Sequence, residues 1–359
     1  PKGRVMFISN TIKITGCGLL FFAMHQYHAL AAYAVVGLGA AAYSPAKYGI
    51  LTELLPPEKL VIANGWIEGL TVASIVLGTV FGGVLITPAV ANVLMGFDFP
   101  FIDTGIDSAL EVSILLVAII YAIAALFNLY IPNTGVDHRI PKKNPFYLIH
   151  EFRHCVKLLW TDKLGQISLA VTTLFWGAGA TLQFIVLKWA EVAMNYPLNQ
   201  AAQLQGVVAV GIAIGAIMAA RWVSLRQSVK VIPLGIAMGI VVMVMILVKD
   251  LWIAIALLML IGGLAGFFVV PMNALLQHRG HILMGAGHSI AVQNFNENLS
   301  ILLMLSLYAA LILLDVHIYV VIVAFGLFVS VMMALIRKWH LLNQSKEDSL
   351  HLIGENKKH

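Results

Sequence analysis

Gly37-Leu-Gly39-Ala-Ala-Ala-Tyr43-Ser-Pro45-Ala-Lys47 and Gly262-Gly263-Leu-Ala-Gly266-Phe-Phe-Val-Val-Pro271-Met-Asn273 read as two versions of one pattern. Each closes an apolar run with a glycine-rich stretch, reaches a proline and places a polar residue two positions later. The run that follows opens with Asn64-x-x-x-Glu68 in the first case and Gln293-x-x-x-Glu297 in the second. The run before opens with Arg4-Val5 and Lys230-Val231. Internal repeats of this kind are a mark of transporters built from duplicated helical halves.

Working outward from the repeat, the chain of 359 residues is 60% hydrophobic and 11% charged, with a mean hydropathy of +0.91. A soluble domain is nearer half apolar and a quarter charged. This balance excludes a soluble enzyme, a disordered chain and a nucleic-acid binder. Several uncharged runs exceed about 18 residues, the length that reads as a transmembrane helix. Lipid leaves free backbone groups unsatisfied, so only helices or closed barrels can span it, and these runs are too long and too evenly apolar for barrel strands. The reading is an all-α polytopic membrane protein with ten spans near 5–24, 29–46, 65–86, 111–131, 164–188, 201–222, 231–248, 251–271, 285–314 and 317–336. Pro45 is expected to end the regular part of its helix.

The repeat pairs spans one to four with spans seven to ten, which leaves five and six without partners. Two six-helix halves are therefore expected, with the first two helices outside this chain, which begins Pro1-Lys2-Gly3-Arg4 without a methionine. The expected parts are an N-terminal bundle over 1–131, a cytoplasmic linker over 132–163, a C-terminal six-helix bundle over 164–340 and a cytoplasmic tail over 341–359. All but three of the 22 Lys and Arg residues fall on one side of the spans, which places both observed ends in the cytoplasm by the positive-inside rule. The opposite side has the loop 87–110, with Asp98, Asp103 and Asp107 and neither Lys nor Arg. In the linker Leu148, Phe152, Val156 and Leu159 recur at helical spacing, with Arg153 and Lys157 elsewhere on the helix. A helix on the cytoplasmic membrane surface and a solvated linker helix both fit.

Charged groups inside a membrane are costly, so each is a functional candidate. Glu297 leads. On the ninth span Ser289, Gln293, Asn296, Glu297 and Ser300 lie within about 100° of one helix face, which must look into a cavity or onto another helix. Asn10 and Lys13 share a face of the first span. Glu68, near the start of the third, is either a gate residue or an interface charge, with Lys47 as a possible partner. Lys47, Tyr48 and Glu53 follow Pro45 at the cytoplasmic mouth and either latch onto Glu68 or Arg279 or form a structural turn. Gly65 and Gly69, Gly78 and Gly82, Gly211 and Gly215, and Gly262 and Gly266 read as helix-packing positions, because glycines four apart let backbones approach closely. Trp176 either stacks in a cavity or packs. The two cysteines, Cys17 and Cys155, offer neither a disulfide framework nor a zinc cluster. His150-Glu151-Phe152-Arg153-His154 fits H-E-x-x-H, but no third ligand or cleft accompanies it, so a membrane metallopeptidase is rejected and no metal or cofactor is expected.

A six-plus-six arrangement with a long central cytoplasmic loop resembles the major facilitator superfamily. The resemblance narrows over Ala40-Ala-Ala-Tyr-Ser-Pro-Ala-Lys-Tyr-Gly-Ile-Leu-Thr-Glu53, Leu174-Phe-Trp-Gly-Ala-Gly179, Gly266-Phe-Phe-Val-Val-Pro-Met-Asn-Ala-Leu-Leu-Gln277 and Ala291-Val-Gln-Asn-Phe-Asn-Glu-Asn298. Together these are similar to the bacterial lysophospholipid transporter family, with Ser44-Pro-Ala-Lys-Tyr-Gly49 the most specific run. The resemblance implies a carrier, not an enzyme, in the bacterial inner membrane. It would flip lysophospholipids of the ethanolamine or glycerol class to the cytoplasmic side by alternating access. There an acyltransferase–acyl-carrier-protein synthetase would re-acylate them. The expected partners are the lysophospholipid and membrane lipids, with no nucleic acid, and the protein is expected to act as a monomer. The family pattern carries an arginine where this chain has Gln183, so Gln183 could bond a phosphate oxygen but supplies no charge. Gln183, Gln293, Asn294 and Lys13 are the expected phosphate donors, and Asn296, Asn273, Asn10, Trp176 and Glu297 complete the expected pathway. The competing reading is a carrier of a soluble solute, such as a sugar or drug, on the same scaffold. It needs a cavity polar throughout, which one polar helix face does not favour.

Overall fold

The computed structural model describes residues 2–23, 25–85, 90, 92–93, 108–135, 145–346 and 353. Among them every regular element is helical. In chain order they are α1 Lys2–Phe21, α2 Gln26–Gly49, the single turn α3 Leu51–Leu54, α4 Leu60–Leu85, α5 Ala109–Asn128, α6 Pro145–Thr161, α7 Gly165–Met194, α8 Leu198–Trp222, α9 Ile232–Val244, α10 Leu251–Met284, α11 Ala286–Leu313 and α12 Ile318–Lys346. Short 3₁₀ turns at Pro57–Lys59, Leu225–Val231 and Met245–Leu247 sit before α4 and on either side of α9.

Each of the ten expected spans coincides with a helix. Among the described residues, eight helical segments are long and apolar enough to cross a membrane, corresponding to all but α1 and α4. The cost of Lys2, Arg4 and Lys13 explains why α1 scores as less apolar than its neighbours. Leu302, Leu303 and Leu307 of α11 are exposed, as lipid-facing side chains would be. The acidic loop residues Asp98, Asp103 and Asp107, and Pro141, Lys142 and Lys143 of the linker, lie outside the described residues.

Helix ends follow local chemistry. Ser108 and Glu111 cap α5 reciprocally, Ser108 Oγ accepting from the Glu111 amide at 3.3 Å and Glu111 Oε2 accepting from the Ser108 amide at 2.9 Å. Asp250 Oδ1 accepts from the Trp252 and Ile253 amides and starts α10. The two prolines do not stop their helices: α2 runs through Pro45 to Gly49, and α10 runs through Pro271 to Met284. Proline removes one donor, and in a membrane helix neighbours re-satisfy the freed carbonyl, so the helix is kept.

The chain divides into two compact units, one of Pro1–Leu54 and Ile75–Arg139 and the other of Leu55–Ser74 and Ile140–His359. In the first, α1 packs against α2 and α5. In the second, α9 packs against α10 and α12, the corresponding arrangement if spans one, two and four match seven, eight and ten. The closest approach in the second unit is α8 on α10. A Cβ at Gly262 would lie on the Val208 carbonyl, at Gly266 on the Ile212 carbonyl, and at Gly215 on the Gly263 carbonyl, so the two backbones touch where only glycine fits. Gly65 likewise faces Ala216 and Ala220, whereas Gly69, Gly78 and Gly82 have nothing within 4 Å among the described residues. Trp189 Nε1, fully buried, donates to the Met245 carbonyl at 2.9 Å and ties α7 to the end of α9.

The amphipathic linker helix is covered by protein over its C-terminal part, while Leu148 and Ile149 near its start stay exposed. Cys155 and Leu159 of α6 pack with Leu169, Leu276 and Val292 of α7, α10 and α11, flanked by Phe152, Val156 and Trp160. Trp160 also stacks on Trp339, with centroids 6.4 Å apart. Arg153 and Lys157 stay exposed. The hydrophobic side that the sequence assigned to lipid or solvent docks on the second unit. Burial also raises the Cys155 thiol above its ordinary range, which disfavours the thiolate.

Candidate functional site

Three helices of the second unit each present a polar pair at i and i+4, the spacing that stacks side chains on one face. They are Asn64 and Glu68 on α4, Asn273 and Gln277 on α10, and Gln293 and Glu297 on α11. All six are buried. Asn64 and Gln277 exchange both amide bonds, Asn64 Nδ2 to Gln277 Oε1 at 3.0 Å and Gln277 Nε2 to Asn64 Oδ1 at 2.9 Å. One turn along, Asn273 Nδ2 reaches Glu68 Oε1 at 3.5 Å, a long contact. Gln293 Nε2 donates to Asn273 Oδ1 at 3.2 Å and to Glu297 Oε1 at 2.8 Å. Thr172 of α7, also buried, donates its hydroxyl to the Leu169 carbonyl at 3.2 Å.

The polar face of α11 is thus a seam against α7 and α10. Ser289 fills the space left by Gly280, and Ser300 that left by Gly177. Asn296, half-buried, donates back to the Val292 carbonyl at 2.8 Å, and Asn294 is half-buried. Sequence reading pairs Gln293 with Glu297 on one face and notes Asn64 with Glu68 as a repeat feature, but it does not bring these together with Asn273, and Gln277 is not among its candidates.

A second polar group lies in the first unit. Lys13 Nζ donates to Asn10 Oδ1 at 3.2 Å and sits 4.3 Å from the Tyr43 ring centroid and 5.2 Å from that of Tyr121. Gly39 makes room for the lysine stem: a Cβ there would stand 2.7 Å from Lys13 Cγ and from the Ser9 carbonyl. Asn10 is buried, and its Nδ2 has no hydrogen-bond partner among the described residues. The arrangement is a cation and a spare amide donor side by side, which is what an anion needs.

The remaining candidates are placed as follows. Gln183 is exposed, and its backbone carbonyl accepts from Gln205 Nε2 at 3.0 Å. Trp176 packs edge-on against Phe175, and its Nε1 lacks a hydrogen-bond partner among the described residues. Lys47 Nζ lies 5.0 Å from the Tyr48 ring centroid. Glu53 takes a 2.7 Å ion pair from Lys2 and a 2.8 Å hydrogen bond from Thr134. Burial pushes the Lys2 ammonium below its usual range, and Glu53 partly restores it. Arg279 grips Asp162 with a fork, Nη2 to Oδ1 at 2.6 Å and Nε to Oδ2 at 3.1 Å. Asp162 Oδ2 also accepts from the Gly165 amide at 2.8 Å, so one carboxylate joins the α6–α7 corner to α10. His150 and His154 are exposed, and among the described residues no cluster of three or more His, Cys, Asp or Glu could hold a metal ion.

Long apolar helices that hold buried polar pairs define a polytopic membrane protein. The chain belongs to the major facilitator superfamily, whose family model matches residues 1–304. Within it the chain falls in the lysophospholipid transporter family. It is 44% identical over 309 residues to the protein named Lysophospholipid transporter LplT of Serratia proteamaculans (strain 568), covering 86% of this chain and 72% of that protein. It is 41% identical over 312 residues to the protein of the same name from Yersinia pestis (strain Pestoides F), covering 87% and 71%. Among solved structures it resembles the major facilitator transporter FucP in the outward conformation, with a TM-score of 0.65 at 13% identity over 96% of this chain and 83% of that one. It also resembles the human organic anion transporter MFSD10, with a TM-score of 0.61 at 13% identity over 98% and 77%. These two likenesses establish the fold alone.

Proposed function

We propose that the chain carries lysophospholipids of the ethanolamine or glycerol class across the bacterial inner membrane to the cytoplasmic side, by alternating access, with both observed ends in the cytoplasm. The observation that carries this reading is the 44% identity to a lysophospholipid transporter along 86% of the chain. On this reading the product is handed to an acyltransferase–acyl-carrier-protein synthetase, and the carrier works as a monomer of two helical halves joined by the 132–163 linker.

The chemistry of the polar groups supports the substrate class. A lysophospholipid has a phosphodiester, which cannot enter an apolar path without donors, and one acyl chain, which can stay among Leu, Ile and Phe side chains. Lys13 and the spare Asn10 amide form an anion-receptive pair, Lys13 supplying charge where Gln183 offers none. Lys47, Tyr48, Glu53, Glu68 and Arg279 then serve as cytoplasmic gating groups, and Trp176, Asn294 and Asn296 as pathway groups. Expected result: in proteoliposomes, Lys13→Ala raises the KM for lysophosphatidylethanolamine roughly tenfold, the loss of one charge-assisted contact, while Lys13→Arg retains most of the affinity. An unchanged KM in Lys13→Ala, at equal protein per vesicle, would remove Lys13 from the phosphate site.

A further inference from the structure

We infer that the exposed side of α6, with Arg153 and Lys157 at its centre, binds anionic phospholipid of the cytoplasmic leaflet.

The histidines of the H-E-x-x-H motif lie on a cationic stripe. His150, Arg153, His154 and Lys157 stand at i, i+3, i+4 and i+7, within about 100° of one helix face. All four are exposed, on the side of α6 away from Cys155 and Leu159, which pack with α7, α10 and α11. The sole acid of the helix, Glu151, turns toward α11, its Oε1 3.8 Å from His288 Nε2. Arg153 and Lys157 make no ion pair among the described residues. Two more exposed cations, Arg337 and Lys338, come from α12 beside Trp339, whose ring stacks on Trp160. A face that gathers permanent cations and neutralises none of them with protein carboxylates is complementary to an anionic surface.

Position decides the kind of anion. α6 ends at Thr161, and α7, long and apolar enough to cross a membrane, begins at Gly165. At 1.5 Å per residue, the backbone of Lys157 and of Arg153 stands at most about 6 and 12 Å from the end of α6. That is comparable with the Debye length of about 8–10 Å over which a charged membrane surface is felt. Tyr147 and Ile149 flank the stripe on its two sides, and both are exposed. A phenol and an aliphatic chain beside cations suit head-group depth, where apolar parts meet the acyl boundary and charges meet phosphate. A soluble acidic protein would match the charges, but the exposed Ile149 and the nearness of the α7 corner favour the lipid.

This inference goes beyond the lipid-carrier reading, since the lipid held at α6 keeps both acyl chains and is not the cargo. Binding is measured without lysophospholipid and without transport, so its failure and the failure of that reading are separable. The probe is dioctanoylphosphatidylglycerol, added to the full purified chain in a neutral detergent, with dioctanoylphosphatidylcholine, inorganic phosphate and polyglutamate as comparison probes. The expected result is saturable binding of the phosphatidylglycerol that phosphatidylcholine and phosphate do not reproduce. Arg153→Gln and Lys157→Gln each weaken it about fivefold and together about twenty-five-fold, the contribution of one cation each at an anionic surface. Both side chains lie in solvent, so these variants fold as the parent does. Arg221→Gln, at an exposed cation on the last turn of α8, leaves binding unchanged. Equal binding of phosphatidylcholine, or an equal loss in Arg221→Gln, would overturn the site. Displacement of the lipid by inorganic phosphate at equal concentration would overturn it in favour of a free anion. Polyglutamate binding that needs Arg153 and Lys157, with phosphatidylglycerol binding unaffected by their loss, would overturn it in favour of an acidic protein.

Discussion

Valine in place of Gly262 prevents α8 and α10 from closing: that is one of the two largest effects expected of a single substitution here. The first side-chain atom would land on the Val208 carbonyl, and the same holds for Gly215 against Gly263 and for Gly266 against Ile212. The obstacle in each case is main chain, which cannot swing aside as the end of a side chain can. Overpacking a core costs about 1–3 kcal/mol and occasionally more, and backbone obstruction on a helix pair that touches along several turns belongs at the upper end. The expected readout is loss of monodisperse protein in detergent for Gly262→Val and Gly215→Val. Gly78→Val, at a position with nothing within 4 Å among the described residues, remains as stable as the parent. Equal melting temperatures for Gly262→Val and the parent would show that α8 and α10 do not approach as described.

The second large effect is expected at the Arg279–Asp162 pair. Both side chains are nearly excluded from solvent, at 3% and 8% exposure. Removing one partner of such a buried pair costs about 3–5 kcal/mol. Arg279→Ala and Asp162→Ala should therefore each lower the unfolding temperature strongly. Asp162→Ala should lower it slightly more, because it also strips the cap from the Gly165 amide at the start of α7. The double substitution should cost far less than the sum of the two, since neither charge is then left alone. Strict additivity would mean that the fork contributes nothing as a pair.

Much of the fold could be read from the sequence, because the bilayer forces one solution: long uncharged runs must be helices, and all ten coincide with helices. The ends were less legible. Pro45 looked like a stop, yet it lies inside its helix, as Pro271 does, since membrane neighbours tolerate the missing donor. The amphipathic pattern of α6 was evident, but a pattern of apolar residues does not say what covers it, and Cys155 and Leu159 dock onto protein. For the site, isolated charges drew attention because their burial cost is high. Gln277 did not, although it stands four residues from Asn273, and Asn64 counted only as a mark of the repeat. Pairs such as Arg279 with Asp162, separated by 117 positions, have no local signature in a single sequence. Gly211, Gly215, Gly262 and Gly266 read as packing positions, and each meets the main chain of the facing helix, α10 for the first pair and α8 for the second.

The account stands most directly on transport itself. Proteoliposomes containing the full chain, loaded on one leaflet with labelled lysophosphatidylethanolamine, are assayed for movement of the label to the other leaflet, alongside protein-free vesicles and vesicles offered labelled sugars or drugs. The account predicts saturable, protein-dependent movement of the lysophospholipid and none of the soluble solutes. Lysophospholipid movement equal to that in protein-free vesicles, with stimulated sugar or drug flux, would contradict it.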